Sequence, residues 1–201
     1  MKKSLLILPL VLLASALALA ACGGGGSSSS GSGEEAAIEE TIEKSATTSD
    51  PSKCTELQTQ AFNEQEKGVS GEEATEVCEE AAEEKETVAE GVSVSNVSVE
   101  GEKATADAEV EGSGLNGQTV ELELVEEEGQ WKLNQFLGFA SYDSEALAAA
   151  LEEELEGEEG VSSSEIKCLG EGFSEMSQEE AESVAFEANI EVVEELLESC
   201  K

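Results

Sequence analysis

The first half of the chain carries apolar residues at helical spacing. Between residues 34 and 90, three such stretches are separated by turn residues, which predicts three helices. The stretches are Ile38, Ile42 and Ala46, then Cys54, Leu57, Ala61 and Phe62, then Ala74, Val77, Cys78, Ala81, Ala82 and Val88. In the third stretch the apolar residues recur every three or four positions, so Cys78 is expected on the buried side of that helix.

From Gly91 onward apolar and polar residues alternate, which is typical of strands with one buried face. The alternating apolar residues are Val92, Val94, Val97 and Val99, then Ala104, Ala106, Ala108 and Val110, then Val120, Leu122 and Leu124, then Trp131, Leu133 and Phe136. The phase changes at Ser95-Asn96, which predicts a β-bulge that bends the first strand. Turns are expected at Glu100-Gly101, at Gly112 to Gly117 and at Glu127 to Gly129. The pattern therefore predicts an α+β fold with helices packed on a curved antiparallel sheet of four strands.

Beyond residue 142 the spacing becomes helical again. A helix that stops at Gly157 is predicted by Ala146, Leu147, Ala150, Leu151 and Leu155. Two capping boxes then mark two further helix starts, Ser162 with Glu165 and Ser177 with Glu180. The apolar face of the last helix is predicted to hold Val184, Ala185, Ala188, Val193, Leu196, Leu197 and Cys200. Residues 143–201 are accordingly expected to form a small helical domain of three helices.

The amino-terminal residues have the pattern of an export signal. Lys2 and Lys3 precede an apolar stretch, Leu5 to Leu19, and small residues lead to Cys22 in the order Leu-Ala-Ala-Cys. This order resembles the bacterial lipoprotein signal. The resemblance implies that residues 1–21 are a signal peptide, that a diacylglycerol is attached to the Cys22 sulfur, and that the protein is lipid-anchored on the extracytoplasmic face of the cell membrane.

A permanent transmembrane helix over residues 4–21 is the alternative to lipidation. The apolar run is shorter than the ~20 residues that usually span a bilayer, and it contains Pro9, so the lipid anchor is favoured. After Cys22, residues 23–33 contain only Gly and Ser. Residues 22–33 are therefore predicted to be the lipidated cysteine and a flexible tether.

The charge balance excludes several classes of function. The chain has 47 acidic residues against 10 lysines, has neither arginine nor histidine, and carries a formal net charge of −37. Imidazole general bases, Ser-His or Cys-His nucleophiles and bidentate arginine clamps are therefore excluded. A nucleic-acid partner is not expected, because phosphate binding needs a basic surface. The acidic runs match no calcium loop, and no metal site, cofactor or catalytic residue is predicted.

Four further cysteines, Cys54, Cys78, Cys168 and Cys200, follow the one proposed for lipidation. An even number in an exported chain predicts disulfides, and four cysteines allow three pairings. Proximity in the sequence favours Cys54 with Cys78 and Cys168 with Cys200, one bridge in each part of the chain. A zinc site made of all four is the alternative, although the usual Cys-x-x-Cys spacing is missing.

Residues 34–142 resemble the NTF2-like superfamily, also called SnoaL-like, and in particular its exported lipoproteins. The resemblance rests on the order of helices and strands and on Gly129-Gln130-Trp131-Lys132-Leu133, Cys54-Thr55-Glu56-Leu57 with Ala61-Phe62, Cys78, and the strand from Val92 to Val97. It implies a curved sheet folded around a cone-shaped cavity that helices partly close.

The resemblance leaves three functions to weigh. The leading one is non-enzymatic binding of a small apolar ligand or a protein partner by a membrane-anchored body. The second is a scaffold or assembly role carried by the C-terminal helices. The third is an isomerase or cyclase of SnoaL-like type, but the chain departs from that pattern because Asp107 is expected to face away from the packed alanines beside it. Tyr142, beyond the last strand, is the remaining candidate for the mouth of a pocket.

Overall fold

The computed structural model describes residues 31–84, 88–156, 161–187 and 189–200. The predicted signal peptide at 1–21 and the proposed lipidation site Cys22 lie outside the described residues. In chain order the elements are α1 Gly31–Thr47, α2 Lys53–Glu56, α3 Gln60–Lys67, α4 Glu72–Glu84, β1 Gly91–Glu100, β2 Lys103–Glu111, β3 Thr119–Glu127, β4 Gln130–Ser141, α5 Ser144–Leu155, α6 Ser163–Ser174, α7 Gln178–Phe186 and α8 Ile190–Ser199. The predicted α+β class is confirmed, with an antiparallel sheet in the order β1-β2-β3-β4.

The helices before the sheet differ from the prediction in three ways. The predicted second helix is two helices, because Thr59 accepts a hydrogen bond from Phe62 N and starts α3 as its N-cap. This leaves Ala61 exposed rather than in the apolar face. The third helix ends at Glu84 and does not include Val88. The first helix begins at Gly31, inside the segment expected to be tether, and has an acidic residue in its first turn as the helix dipole favours.

The sheet has the predicted bulge and turns. The β1–β2 register shifts between Ser95 and Ser98, and Asn96 takes a positive φ of 53°, which bends the strand as a bulge does. The β3–β4 turn consists of Glu128 and Gly129, with φ of 54° and 81°. Two positive φ values in a two-residue hairpin are the signature of a type I′ turn.

One face of the sheet packs against the helices. The alternation places Ala104, Ala106, Ala108, Val120, Leu122, Leu124, Trp131 and Leu133 on the buried face. Ile38 and Ile42 of α1 and Phe62 of α3 are buried in the same cluster. The opposite face carries polar residues such as Asp107, which accepts a hydrogen bond from Asn96 Nδ2 at 2.7 Å. The prediction that Asp107 faces away from the neighbouring alanines is confirmed.

Helices cover the free edge of β4. Leu133 donates from its N to Leu57 O and accepts at its O from Thr59 N, both at 2.9 Å, so the segment before α3 adds backbone pairing to the strand. Further along, the Gln65 side chain bonds both the N and the O of Phe136. Because an open sheet edge invites pairing with other chains, these contacts protect β4 from association.

Side chains of the C-terminal helices bond the backbone further along the same edge of β4. Phe139 N donates to Glu182 Oε1 at 2.8 Å, and Phe139 O accepts from Gln178 Nε2 at 2.9 Å. At the start of α5, the fully buried Gln118 side chain bonds both the N and the O of Asp143. Side chains in place of a neighbouring strand thus satisfy the backbone where the sheet meets the helices.

Both predicted capping boxes are present. Ser162 with Glu165 starts α6, and Ser177 with Glu180 starts α7. The predicted last helix is two helices, since Asn189 accepts from Glu191 N and caps α8 separately. The described residues 143–200 therefore contain four helices rather than three. On α7 and α8, Ala185 and Leu197 are exposed instead of lying on the predicted apolar face, and Ala188 lies outside the described residues.

The cysteine pairing agrees with the favoured prediction. Cys54 and Cys78 form a disulfide between α2 and α4, and Cys168 and Cys200 form one between α6 and the end of α8. The four-cysteine zinc site is wrong, because all four sulfurs are in these bonds. Cys78 is 2% exposed, which confirms its expected place on the buried side of the third predicted helix.

The buried cluster is continuous across the proposed boundary between residues 142 and 143. It contains Phe139 of β4 together with Phe173 of α6 and Phe186 of α7, and the half-buried Phe136 of β4 packs against it. The Phe186 ring lies 5.0 Å from the Phe136 ring and 4.9 Å from the Phe139 ring, measured between centroids. Independent folding of residues 143–201 stays a prediction, and these ring contacts make it testable.

Candidate functional site

A cavity of about 130 Å³ lies between the sheet and helices α1 to α3. All four strands and these three helices contribute residues to its wall. Its apolar lining consists of Ile42, Ala46, Phe62, Ala89, Val92, Ala108, Val110, Leu115, Val120, Leu122, Leu133 and Phe136. An apolar cavity with few polar residues is the usual form of a small-molecule site.

The local sequence explains why the cavity stays open. At Ala108 a small side chain faces the helices, while Val120 and Leu122 on the next strand supply larger apolar walls. Phe62 and Phe136 close another side, with ring centroids 4.8 Å apart and the planes tilted by 33°. Small residues opposite large ones leave a space that these side chains do not fill.

The polar part of the lining is formed by Ser45, Lys53, Gln58, Glu66 and Ser113. Lys53 is the most unusual of these residues, because it is only 5% exposed. Lysines are rarely buried without a partner. The Lys53 Nζ donates to Ser45 O at 3.4 Å. Ser45 lies two residues before the end of α1, where carbonyl groups lack helical partners and the helix dipole attracts positive charge.

Opposing effects act on the Lys53 ammonium. Burial lowers the pKa of Lys53 below its usual range, the Glu66 carboxylate counteracts part of this change, and the Lys67 charge adds to the lowering. Glu66 Oε1 pairs with Lys67 Nζ at 3.0 Å. Lys67 is not among the lining residues, so the polar lining holds one ammonium group, that of Lys53, and one carboxylate, that of Glu66.

Gln58 is held by both backbone and side chain. It lies between α2 and α3, where its neighbours pair with β4, and its Nε2 donates to Ser45 Oγ at 2.9 Å. Its Oε1 is 3.2 Å from Cys78 Sγ. That sulfur belongs to a disulfide and has no hydrogen to donate, so this contact does not satisfy the amide oxygen. Gln58 therefore retains hydrogen-bonding capacity at the cavity.

One acceptor at the cavity has no partner at all within the described part of the chain. Glu66 Oε2 is buried and accepts no hydrogen bond there. Lys53 also uses only one of the three donor positions of its ammonium among the described residues. Buried polar atoms are nearly always satisfied in proteins, so unused hydrogen-bonding capacity at two neighbouring lining residues is unusual.

The residues singled out from the sequence lie elsewhere. Tyr142 does not line the cavity, since its hydroxyl donates to Met176 O at 3.2 Å and its ring packs 5.3 Å from that of Phe139. Burial raises the pKa of Tyr142, and the charges of Glu180 and Asp143 raise it further. Tyr142 therefore does not stand at the mouth of this cavity. It is a packing residue that ties β4 to the segment before α7.

The sequence patterns predict none of the polar lining residues Ser45, Lys53, Gln58 and Glu66. Their polar residue types favour exposure, although helical spacing puts Ser45 on the face of Ile42 and Glu66 on the face of Phe62. One signal was available for Lys53: it directly precedes Cys54, which is 1% exposed and disulfide-bonded. In a chain with so few lysines, a lysine next to a buried cysteine is a candidate for a special role.

Comparison with known proteins adds one solved structure. No protein-family model and no curated protein matches the chain. The chain is similar to an NTF-2-like protein of unknown function from Silicibacter pomeroyi DSS-3, with 22% identity, a TM-score of 0.37, and coverage of 53% of this chain and 95% of that one. A similarity of this extent does not assign the chain to a family, and the α+β architecture rests on the helices and strands themselves.

No group of three or more His, Cys, Asp or Glu side chains in the described residues is arranged to hold a metal ion. None of the helices in those ranges has both the length and the apolar character needed to cross a bilayer.

Proposed function

We propose that this chain is a lipid-anchored, extracytoplasmic binding protein of NTF2-like type, whose cavity holds a small apolar ligand without catalysis. The observation that carries the proposal is the 130 Å³ cavity with a largely apolar lining. An apolar cavity of about 150 Å³ holds benzene, so this slightly smaller cavity is expected to take a ligand no larger than one ring. The order of helices and strands and the bulge in β1 support the NTF2-like assignment.

Binding in the cavity predicts that a larger side chain at Ala108 excludes the ligand. Ala108→Leu places three more carbon atoms in the space, whereas Ala106→Leu alters a buried position on the same strand and face that does not line it. We expect native mass spectrometry of the protein released from its own membrane to show an additional mass. That mass should be lost in Ala108→Leu and kept in Ala106→Leu.

Two results would contradict this proposal. One is a clean protein mass in the unaltered chain, and the other is an additional mass that persists in Ala108→Leu. The two variants should also differ in stability, because overpacking costs about 1–3 kcal/mol. Ala106→Leu has no space to receive the side chain, so it is expected to lower the free energy of unfolding more than Ala108→Leu does.

The membrane anchor is proposed from the Leu-Ala-Ala-Cys order that ends at Cys22. Two disulfides in the folded part support an oxidising compartment outside the cytoplasm. Cys22→Ser is expected to move the protein from the membrane fraction to the soluble fraction, provided that another peptidase removes the signal, and to abolish incorporation of labelled palmitate. A variant that still incorporates the label would disprove lipidation at Cys22.

A scaffold role of the C-terminal helices is the second candidate. It is favoured by Leu197 of α8, which is 39% exposed. Single exposed leucines are common on protein surfaces, so this observation carries less than the cavity does. A scaffold predicts a native complex larger than one chain that Leu197→Glu disperses. An isomerase or cyclase of SnoaL-like type ranks third, because the carboxylate at the cavity, Glu66, is paired with Lys67.

A further inference from the structure

Lys53 brings a primary amine to the wall of a mostly apolar cavity. Its side chain is buried and lines the cavity, and its Nζ lies 3.4 Å from the O of Ser45, which is also a lining residue. Within the described part of the chain no carboxylate forms an ion pair with Lys53, and Glu66 pairs with Lys67 instead. Lys53 is thus a buried amine that a single long hydrogen bond holds in place.

The surroundings of Lys53 favour its neutral form. Burial lowers the pKa of Lys53, the Glu66 carboxylate opposes this change, and the Lys67 charge adds to the lowering. A lysine that is desolvated in an apolar pocket near another cation is activated as a nucleophile, because the neutral amine is the form that attacks a carbonyl carbon. Lys103 differs in each respect, since its side chain is 64% exposed and pairs with Glu123.

We propose that Lys53 forms a Schiff base with a small apolar aldehyde or ketone held in the cavity. This inference rests on the proposed function, since it names the class of ligand for the same cavity. The amine nitrogen adds to the carbonyl carbon, both amine hydrogens leave with the carbonyl oxygen as water, and a C=N bond replaces the C=O bond. The step needs no oxidant or reductant. The apolar lining excludes water and so slows hydrolysis of the imine.

A neutral carbonyl compound also fits the charge of the chain and the size of the cavity. A chain of net charge −37 repels carboxylates at a distance, whereas it does not repel aldehydes and ketones. A pure hydrocarbon gives the Lys53 amine no partner. A ligand small enough for about 130 Å³ buries little apolar surface, so a covalent bond adds what burial alone does not supply.

Reductive trapping tests the inference, with cyclopentanone as a one-ring ketone. Cyanoborohydride reduces an imine to a secondary amine and so fixes the label as one cyclopentyl group. The protein is residues 22–201 with Cys22→Ser, which is the whole chain expected after cleavage and needs no detergent. At pH 7 an exposed lysine is almost fully protonated, because its usual pKa is about 10.4, whereas part of the α-amino group is neutral. We expect peptide mapping, which separates the α-amino label, to find Lys53 labelled ahead of Lys103.

Two variants separate capture in the cavity from ordinary amine reactivity. Ala108→Leu fills the cavity and keeps Lys53, so the label on Lys53 is expected to be lost. The matched control is Ala106→Leu, at a buried position on the same strand and face that does not line the cavity, and it should keep the label. Equal labelling of Lys53 in Ala108→Leu and in the chain with alanine there would overturn the inference, because the amine would then react without the cavity.

Binding of benzene, measured by titration calorimetry, keeps this inference apart from the proposed function. If benzene binds and Lys53 is not labelled, the Schiff base is overturned and an apolar binding site remains. Tight binding of isobutyrate without labelling would overturn it in favour of carboxylate recognition. If benzene does not bind and Lys53 is not labelled, both proposals fail. These measurements need no substitution in the cavity, so they decide the matter even if Ala108→Leu does not fold.

Discussion

Replacing Cys54 and Cys78 together by alanine is expected to lower the free energy of unfolding by about 3 kcal/mol. The bridge spans 24 residues, and the restriction of a loop of that length in the unfolded chain gives this value. Both sulfur-bearing residues are at most 2% exposed, so a small cavity adds to the loss. Urea unfolding of the double variant and the unaltered chain measures the difference.

The second disulfide provides the comparison. It closes a similar loop, since Cys168 and Cys200 are 32 residues apart, but both residues are only half-buried and the bond ties down the last helix. We expect Cys168→Ala/Cys200→Ala to lower hydrogen-exchange protection mainly in α8.

The first bridge lies beside Lys53 and Gln58, so its loss should also weaken ligand binding. Equal urea midpoints for the 54/78 variant and the unaltered chain would refute the prediction.

The sheet was predictable because its signals are local. Alternation identifies the strands, and Glu128-Gly129 identifies a tight hairpin turn from residue type alone. The bulge at Ser95-Asn96 follows from the change of phase. The divided second helix has one local signal, since threonine is a common N-cap residue and Thr59 caps α3. The pairing of this segment with Leu133, far away in the sequence, has no such signal.

The candidate site was predictable only in its apolar part. Leu122 and Phe136 line the cavity as members of the alternating pattern. Lys53 and Gln58 are buried where their side chains donate hydrogen bonds to Ser45 near the end of α1, and their residue types do not predict this burial. Sequence heuristics assign such residues to the surface because the cost of burial is normally decisive. Here the end of α1 and nearby hydrogen bonds offset that cost.

The proposed boundary between residues 142 and 143 also rests on local patterns, which do not record contacts between residues far apart in the sequence. Composition and spacing divide the chain there, but Glu182 and Gln178 complete the backbone hydrogen bonds of Phe139 on β4. The aromatic rings of both parts also pack together. Two halves that satisfy one another's buried groups are expected to unfold as one unit.

Phe186→Ala is expected to lower the free energy of unfolding of the whole protein by about 3–5 kcal/mol, the usual cost of truncating a buried phenylalanine. Phe186 is 7% exposed and contacts the rings of Phe136 and Phe139, so its loss opens the junction between α7 and β4. Phe186→Leu keeps most of the volume and is expected to cost less than about 1.5 kcal/mol.

The chain has a single tryptophan, Trp131, which lies on β4 and reports on the packing of the sheet against the helices before it. Far-ultraviolet circular dichroism reports mainly on the helices. In urea, both signals are expected to change in one transition, and Phe186→Ala should move both to lower concentration by the same amount. An independent C-terminal domain predicts the opposite result: the variant would show an early loss of helix signal while the Trp131 transition stays in place. Coincident shifts would instead establish that the helices after residue 142 stabilise the sheet that forms the cavity.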